Sequence, residues 1–139
     1  MSGRSFVDTN VLVYCFDAGE PAKRKRALAI LEGDSDVGDL VLSTQILQEF
    51  YVTVTRKLKR PLSARDAAAA VDELARLPVV QIDLEMVLAS IADCQKHQLS
   101  LWDTLVLRSA VTADCERVLT EDLQHGFVFG SLRVENPFR

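Results

Sequence analysis

The sequence predicts an α/β domain in which a mostly parallel sheet of four or five strands is flanked by helices on both faces. Two observations carry this. Short strand-like runs at residues 5–7, 40–42, 79–82 and 116–121 alternate with stretches of helical apolar spacing. No Gly-turn hairpin joins one run to the next, so successive strands need crossover helices and lie parallel. At 139 residues and 48% hydrophobic, the chain fits a single domain over residues 1–139, with a core that needs no staples.

The elements follow in order. Ser5-Phe6-Val7 reads as a buried strand ending in the polar turn Asp8-Thr9-Asn10, and Val11 to Phe16 continues as a short apolar helix. Pro21 suits a first helical position, an amphipathic helix runs to Leu31, and Gly33 supplies the stop before a loop to Asp39. Leu40-Val41-Leu42 forms the second strand. Ser43 or Thr44 then caps a helix whose apolar face is Ile46, Leu47, Phe50, Tyr51, Val54 and Leu58, with Glu49 at its flank and Pro61 at its end. Ser63 to Asp66 resembles a capping box, and Val71, Leu74 and Leu77 form the stripe of the helix it starts. Val79 to Ile82 is the third strand, and Asp83 caps the helix containing Leu84, Val87, Leu88 and Ile91.

The stretch from Ser100 to Gly126 goes out and back. The helix from Trp102 to Ala113 covers roughly 18 Å at ~1.5 Å per residue. The strand that returns, residues 116–121, covers about 20 Å at ~3.3 Å per residue. Asp103 and Asp122 therefore meet at one edge of the sheet. Residues 127–129 and 132–134 provide a last short edge strand.

Met1 to Arg4 run straight into a strand, which predicts no signal peptide, and no apolar run approaches the ~20 residues that cross a bilayer. A soluble, cytoplasmic protein with no membrane partner is expected. Cys15, Cys94 and Cys115 are odd in number, lack CxxC spacing and read as reduced core thiols. The net charge of −4 argues against a general nucleic-acid binder. Half of the sixteen basic residues nevertheless fall in two clusters, Lys23-Arg24-Lys25-Arg26 and Arg56-Lys57-Leu58-Lys59-Arg60. These read either as solvated helix faces or as a local electropositive strip that includes Arg24, Arg26, Arg56, Lys57, Lys59 and Arg60.

In open α/β sheets, ligands bind outside the carboxyl ends of the strands. The polar residues that land there are mostly acids: Asp8, Glu49, Asp103 and Asp122. Each has a bland explanation alone, since Asp8 and Asp103 suit helix N-termini, Asp122 suits a turn, and Glu49 suits a solvated flank. Together they repel at ~4 kcal/mol per close pair at an effective dielectric near 20, unless a cation neutralises them. Oxygen-only ligands favour Mg²⁺, with Mn²⁺ an alternative, and no His or Cys set is available for zinc. His97 and His125 read as surface or helix-end residues. Trp102 reads as core, with stacking on a base as the alternative.

Four motifs in order, Phe6-Val7-Asp8-Thr9-Asn10-Val11-Leu12, Gln48-Glu49-Phe50, Leu101-Trp102-Asp103-Thr104-Leu105 and Leu119-Thr120-Glu121-Asp122-Leu123, resemble those of PIN-domain ribonucleases, specifically VapC toxins of bacterial toxin-antitoxin pairs. The resemblance extends to Asn136-Pro137-Phe138. It implies a PIN-like fold, Mg²⁺-dependent endonucleolytic cleavage of structured cellular RNA of the tRNA or rRNA class, a homodimer, and inhibition by a cognate antitoxin. Carried over by position, Asp8, Glu49, Asp103 and Asp122 are the metal-binding acids, with Asn10 and Thr120 as polar helpers. Arg108 departs from the pattern, where similar proteins keep a small apolar residue, and bears on local packing or the RNA-facing surface.

Two rivals compete. An aspartyl-phosphate receiver also places an acid after its first strand, but it wants a late lysine, and none follows Lys96. A catalytically silent PIN-fold module that binds RNA or protein would keep the fold without needing all four acids.

Overall fold

The computed structural model describes residues 3–139; Met1 and Ser2, ahead of the first strand, lie outside the described residues. The elements are β1 (Arg4–Val7), α1 (Thr9–Tyr14), α2 (Pro21–Gly33), β2 (Asp39–Ser43), α3 (Thr44–Arg56), α4 (Ala64–Leu74), β3 (Val79–Val80), α5 (Leu84–His97), α6 (Leu101–Thr112), β4 (Cys115–Leu119), β5 (Val128–Phe129) and β6 (Leu132–Glu135). They build one six-stranded sheet in the order β3-β2-β1-β4-β6-β5. Five of the strands run parallel, and β5 alone is antiparallel, paired to β6.

The helix starts follow local chemistry. The hydroxyls of Ser43, Ser63 and Ser100 and the carboxylate of Asp83 each accept a backbone N–H from the first turn of α3, α4, α6 and α5. Each cap satisfies one amide that the helix itself leaves unpaired. The sheet's inner strands supply the core, with Phe6, Val7, Leu42, Val118, Leu119 and Val134 fully enclosed against Ile46, Phe50, Ile30 and Leu107 of the helices.

Two expectations need correction. Residues 127–134 are two strands joined by a tight hairpin, so the sheet has six strands and one Gly-turn connection. Gly130, at φ +64°, opens the two-residue Gly130-Ser131 loop between the paired Phe129 and Leu132, a conformation that costs glycine little. Helix α3 ends at Arg56, ahead of Pro61, and Lys57 to Arg60 form a loop that the Leu62 amide ties back to the Val54 carbonyl at 2.8 Å. Helix α5 packs on the outside of α6, which itself covers β1, β2, β4 and β6. As an outer layer it buries only Met86 and Ser90 and leaves Leu84, Leu88 and Ile91 exposed.

Arg108 is half-buried between these two helix layers. From α6 it donates to Asp93 of α5, with Nε 3.0 Å from Oδ2, and its guanidinium lies over the Phe129 ring. The larger residue thus pins the outer helix to the inner one. All three cysteines are free, with Cys15 and Cys115 buried and Cys94 half-buried. His97 ends α5 against Phe129, and His125 accepts the Asn136 amide. No helix among the described residues is long and apolar enough to cross a membrane.

Candidate active site

The chain steps from β1 outward to β2 and β3, then returns to place β4 on the other side of β1. A crevice opens at such a reversal, outside the carboxyl ends of the two strands that diverge from it. Asp8 follows β1 and Thr120 follows β4, so both stand at this reversal. Their strands stay paired to the end, because the Asp8 amide donates to the Leu119 carbonyl at 3.0 Å.

The first turn of α1 organises the site. Asp8 is the N-cap, its Oδ1 accepting the Thr9 amide at 2.8 Å and its Oδ2 accepting the Thr120 hydroxyl at 2.7 Å. Thr9 donates its hydroxyl to Glu49 Oε1 at 2.7 Å. Asn10 donates Nδ2 to Asp122 Oδ2 at 3.0 Å and accepts the Glu121 amide at 3.2 Å. Three consecutive residues therefore hold three carboxylates: Asp8 itself, Glu49 on α3, and Asp122 beyond β4. Thr120 is saturated as a hub, giving its one proton to Asp8 and accepting from Asn10 Nδ2 at 3.3 Å and the Asp122 amide at 3.1 Å.

A cleft of about 660 Å³ lies over this turn, bordered by Thr9, Asn10, Tyr14, Glu49, Val52, Lys57 and Asp122. Asp8 lies beneath it, 7% exposed. Burial pushes the Asp8 carboxyl up to about 6; the Thr120 and Thr9 hydrogen bonds oppose the rise, and the nearby charges of Asp122 and Glu49 add to it. The structure thus brings Asp8, Glu49 and Asp122 into one electrostatic neighbourhood.

Chain segments beyond the four motifs support the same turn. Glu121 accepts the Tyr14 hydroxyl at 2.5 Å and the Lys23 ammonium at 2.6 Å, and Tyr14 packs edge-on against Phe138 at 5.0 Å. Burial raises the Glu121 carboxyl, but Lys23 and Tyr14 outweigh it and hold the group below its ordinary value. The bonds anchor the segment that carries Asp122.

A family model for the PIN domain matches residues 5–126. The chain belongs to the PIN domain family. No curated protein matches the sequence at a significant level. Among solved structures, this PIN domain is similar to VapC20 of Mycobacterium tuberculosis, a sarcin-ricin loop cleaving toxin, at 18% identity and TM-score 0.68, covering 85% of this chain and 91% of that one. It is also similar to a chain of a toxin-antitoxin complex from Klebsiella pneumoniae, at 20% identity and TM-score 0.70, covering 96% and 97%. A third likeness is to DNA-bound VapBC from Salmonella typhimurium, at 17% identity and TM-score 0.64, covering 99% of each chain.

Within this PIN domain the fourth acid comes from a different helix. Asp103 lies in the first turn of α6, and its amide donates to the Ser100 hydroxyl at 3.0 Å. Because α6 leads into a parallel strand, its N-terminus shares the carboxyl edge with the other acids. Among the described residues, however, no hydrogen bond joins Asp103 to them. Trp102, read as core, is instead 62% exposed. The basic residues divide. Lys57 borders the cleft, and Lys59 and Arg60 line the adjoining hollow beside Phe16 and Asp17. Arg24 and Arg26 serve the fold, with Arg24 on the Cys15 carbonyl and Arg26 on Asp34 and the Pro137 carbonyl. Sequence reading missed Thr9 and Gln45 as supports of Glu49. Thr9 stood inside the first motif, and Gln45 lies one helical turn before Glu49, the spacing at which side chains meet.

The Asp8 environment sets a pH dependence. A carboxyl raised from 3.8 to about 6 on folding favours the folded state when protonated, so its contribution is full below pH ~4 and is lost as pH rises through 6. The whole window is worth about 3 kcal/mol, with roughly 1–1.5 kcal/mol of it between pH 5 and 7.5. Urea unfolding in EDTA is expected to show that loss at pH 7.5, and Asp8→Asn removes it. An equal pH difference in the variant places the effect elsewhere.

Proposed function

We propose that this PIN domain is a Mg²⁺-dependent endoribonuclease, the toxin of a toxin-antitoxin pair, cutting structured RNA of the tRNA or rRNA class in the cytoplasm. The observation that carries the reading is the gathering of Asp8, Glu49 and Asp122 around one helix turn at the switch point of the sheet, with Asp8 buried and hydrogen-bonded at both oxygens. Such an arrangement calls for a cation. The donors are carboxylate, amide and hydroxyl oxygens, which fits a hard ion such as Mg²⁺ or Mn²⁺. Among the described residues no three acids, histidines or cysteines close around one point. The ion would therefore be held directly by one or two of these carboxylates, with water completing its shell, as Mg²⁺ commonly is.

Asp8, Glu49 and Asp122 would hold the ion, one or two of them directly and the rest through its waters, with Asp103 the fourth acid at the same edge. When bound, the ion would offset charge on the acids and on the phosphate, and lower the pKa of a coordinated water. Asn10 and Thr120 keep Asp122 and Asp8 oriented, so their oxygens need no rearrangement when substrate arrives. Lys57, Lys59 and Arg60 stand beside the cleft where the phosphates of a bound strand pass.

Two protein partners belong to this proposal. The relatives from Klebsiella pneumoniae and Salmonella typhimurium were solved as toxin-antitoxin assemblies, which supports a cognate antitoxin. An apolar groove of about 470 Å³ between α3 and α4, lined by Leu47, Tyr51, Val52 and Val71, opens beside the cleft and suits an apolar segment of such a partner. The exposed stripe Leu84, Leu88 and Ile91 on α5 suits a second copy of the chain.

The test is incubation of the purified protein with total cellular RNA, with Mg²⁺ and with EDTA, followed by mapping of new 5′ ends. Discrete ends within tRNA or rRNA that vanish in EDTA are expected, from protein that sediments as a two-chain species. Intact RNA under both conditions overturns the nuclease reading and leaves a binding module.

A further inference from the structure

Gln45 does something that packing alone does not require. It is 5% exposed, on the first turn of α3. Its Nε2 donates both to Glu49 Oε2 at 3.1 Å and to the Trp102 carbonyl at 3.2 Å. Its Oε1 is buried with no hydrogen-bond partner among the described residues. The amide cannot be turned over, because that would set Oε1 against a carboxylate and a carbonyl, two acceptors facing an acceptor. A side chain kept only to fill space would be apolar, since a buried acceptor without a donor is uncommon in folded proteins. The polar group is therefore retained for its two donor contacts.

Those contacts join segments 57 residues apart. One end is a candidate ligand, Glu49; the other is the carbonyl immediately before Asp103. Among the described residues this is the one hydrogen-bonded link between α3 and the head of α6. Thr9 already fixes Oε1 of Glu49 at 2.7 Å, so Gln45 fixes the remaining oxygen and sets the plane of the carboxylate.

Resting on the nuclease reading above, we propose that Gln45 is a positioning residue of the metal site: it orients Glu49 and draws the Trp102-Asp103 segment to the acids gathered by α1. Asp103 enters the site through this bridge.

The experiment compares wild type with Gln45→Met, which keeps length and volume but no donor, and Gln45→Asn, which keeps an amide one methylene too short to reach both partners. Mn²⁺ binding is measured by calorimetry, and acrylamide quenching reads the mobility of Trp102, the sole tryptophan. Both variants are expected to bind Mn²⁺ about 10–100-fold more weakly, as loss of groups that orient metal ligands does elsewhere. Quenching of Trp102 rises, and the melting midpoint stays near that of wild type. Mn²⁺ affinity within twofold of wild type in either folded variant overturns the proposal while the nuclease reading stands. Failure of wild type itself to bind Mn²⁺ overturns both.

Discussion

Asp8→Asn is expected to lower Mg²⁺-dependent RNA cleavage by about a thousandfold or more while the protein stays folded. The size follows from the several kcal/mol of charge stabilisation that a bound ion supplies, at ~1.4 kcal/mol per tenfold in rate. Folding survives because the cap contact to the Thr9 amide is kept and a buried charge is removed. The Asn carbonyl can accept the Thr9 amide, while its NH₂ forgoes the 2.7 Å bond to Thr120, whose lone pairs already take the Asn10 and Asp122 donors. The variant also removes a buried charge from beside Asp122 and Glu49, so its urea midpoint at pH 7.5 matches or exceeds that of wild type. Gel assays of RNA cleavage and urea unfolding check the two halves separately. Cleavage within tenfold of wild type would remove Asp8 from the metal set.

The second large effect concerns how RNA is held. Neutralising Arg56, Lys57, Lys59 and Arg60 to Gln is expected to flatten the dependence of RNA binding on salt. For a single strand each phosphate contact contributes about 0.7 to the slope of log K against log salt, so loss of four contacts lowers it by roughly 3. Binding by the cleavage-deficient Asp8→Asn protein, measured by fluorescence anisotropy from 50 to 300 mM salt, gives the slope directly. The loop position of Lys57 to Arg60 is what makes this cluster the one to test, since it lies at the edge of the cleft. Arg26 has no such role on this account: it is engaged with Asp34 and the Pro137 carbonyl, and its loss acts on stability. An unchanged slope in the fourfold variant returns the loop to a solvated surface.

The structure also changes which part of the chain holds the site together. From sequence, Ser100 to Gly126 looked like half of a metal centre, because the geometry of one helix and one strand returned Asp103 beside Asp122. In the folded protein Asp122 is held from α1 by Asn10, and among the described residues the link from the head of α6 to Glu49 runs through the Trp102 carbonyl and Gln45. The gathering point is Asp8-Thr9-Asn10, three residues whose side chains reach α3 on one side and the end of β4 on the other.

What the sequence determined by itself is what depends on near neighbours. Apolar periodicity located the parallel strands and their helices, short polar residues marked the caps that Ser43, Ser63, Asp83 and Ser100 form, and strand ends placed the acids along one edge. Only the tertiary structure decided what depends on contacts between distant segments. Thr9 meets Glu49 across 40 positions and Asn10 meets Asp122 across 112. Helix α5 lies outside α6, so its apolar stripe faces outward, and Trp102 at the head of α6 is exposed. The physical reason is that a helix closes its own hydrogen bonds and both helix and strand keep their side-chain period wherever they lie, whereas the partner of a side chain is chosen by packing. The Gly130-Ser131 hairpin is the exception, a local signal visible in the sequence between two apolar runs.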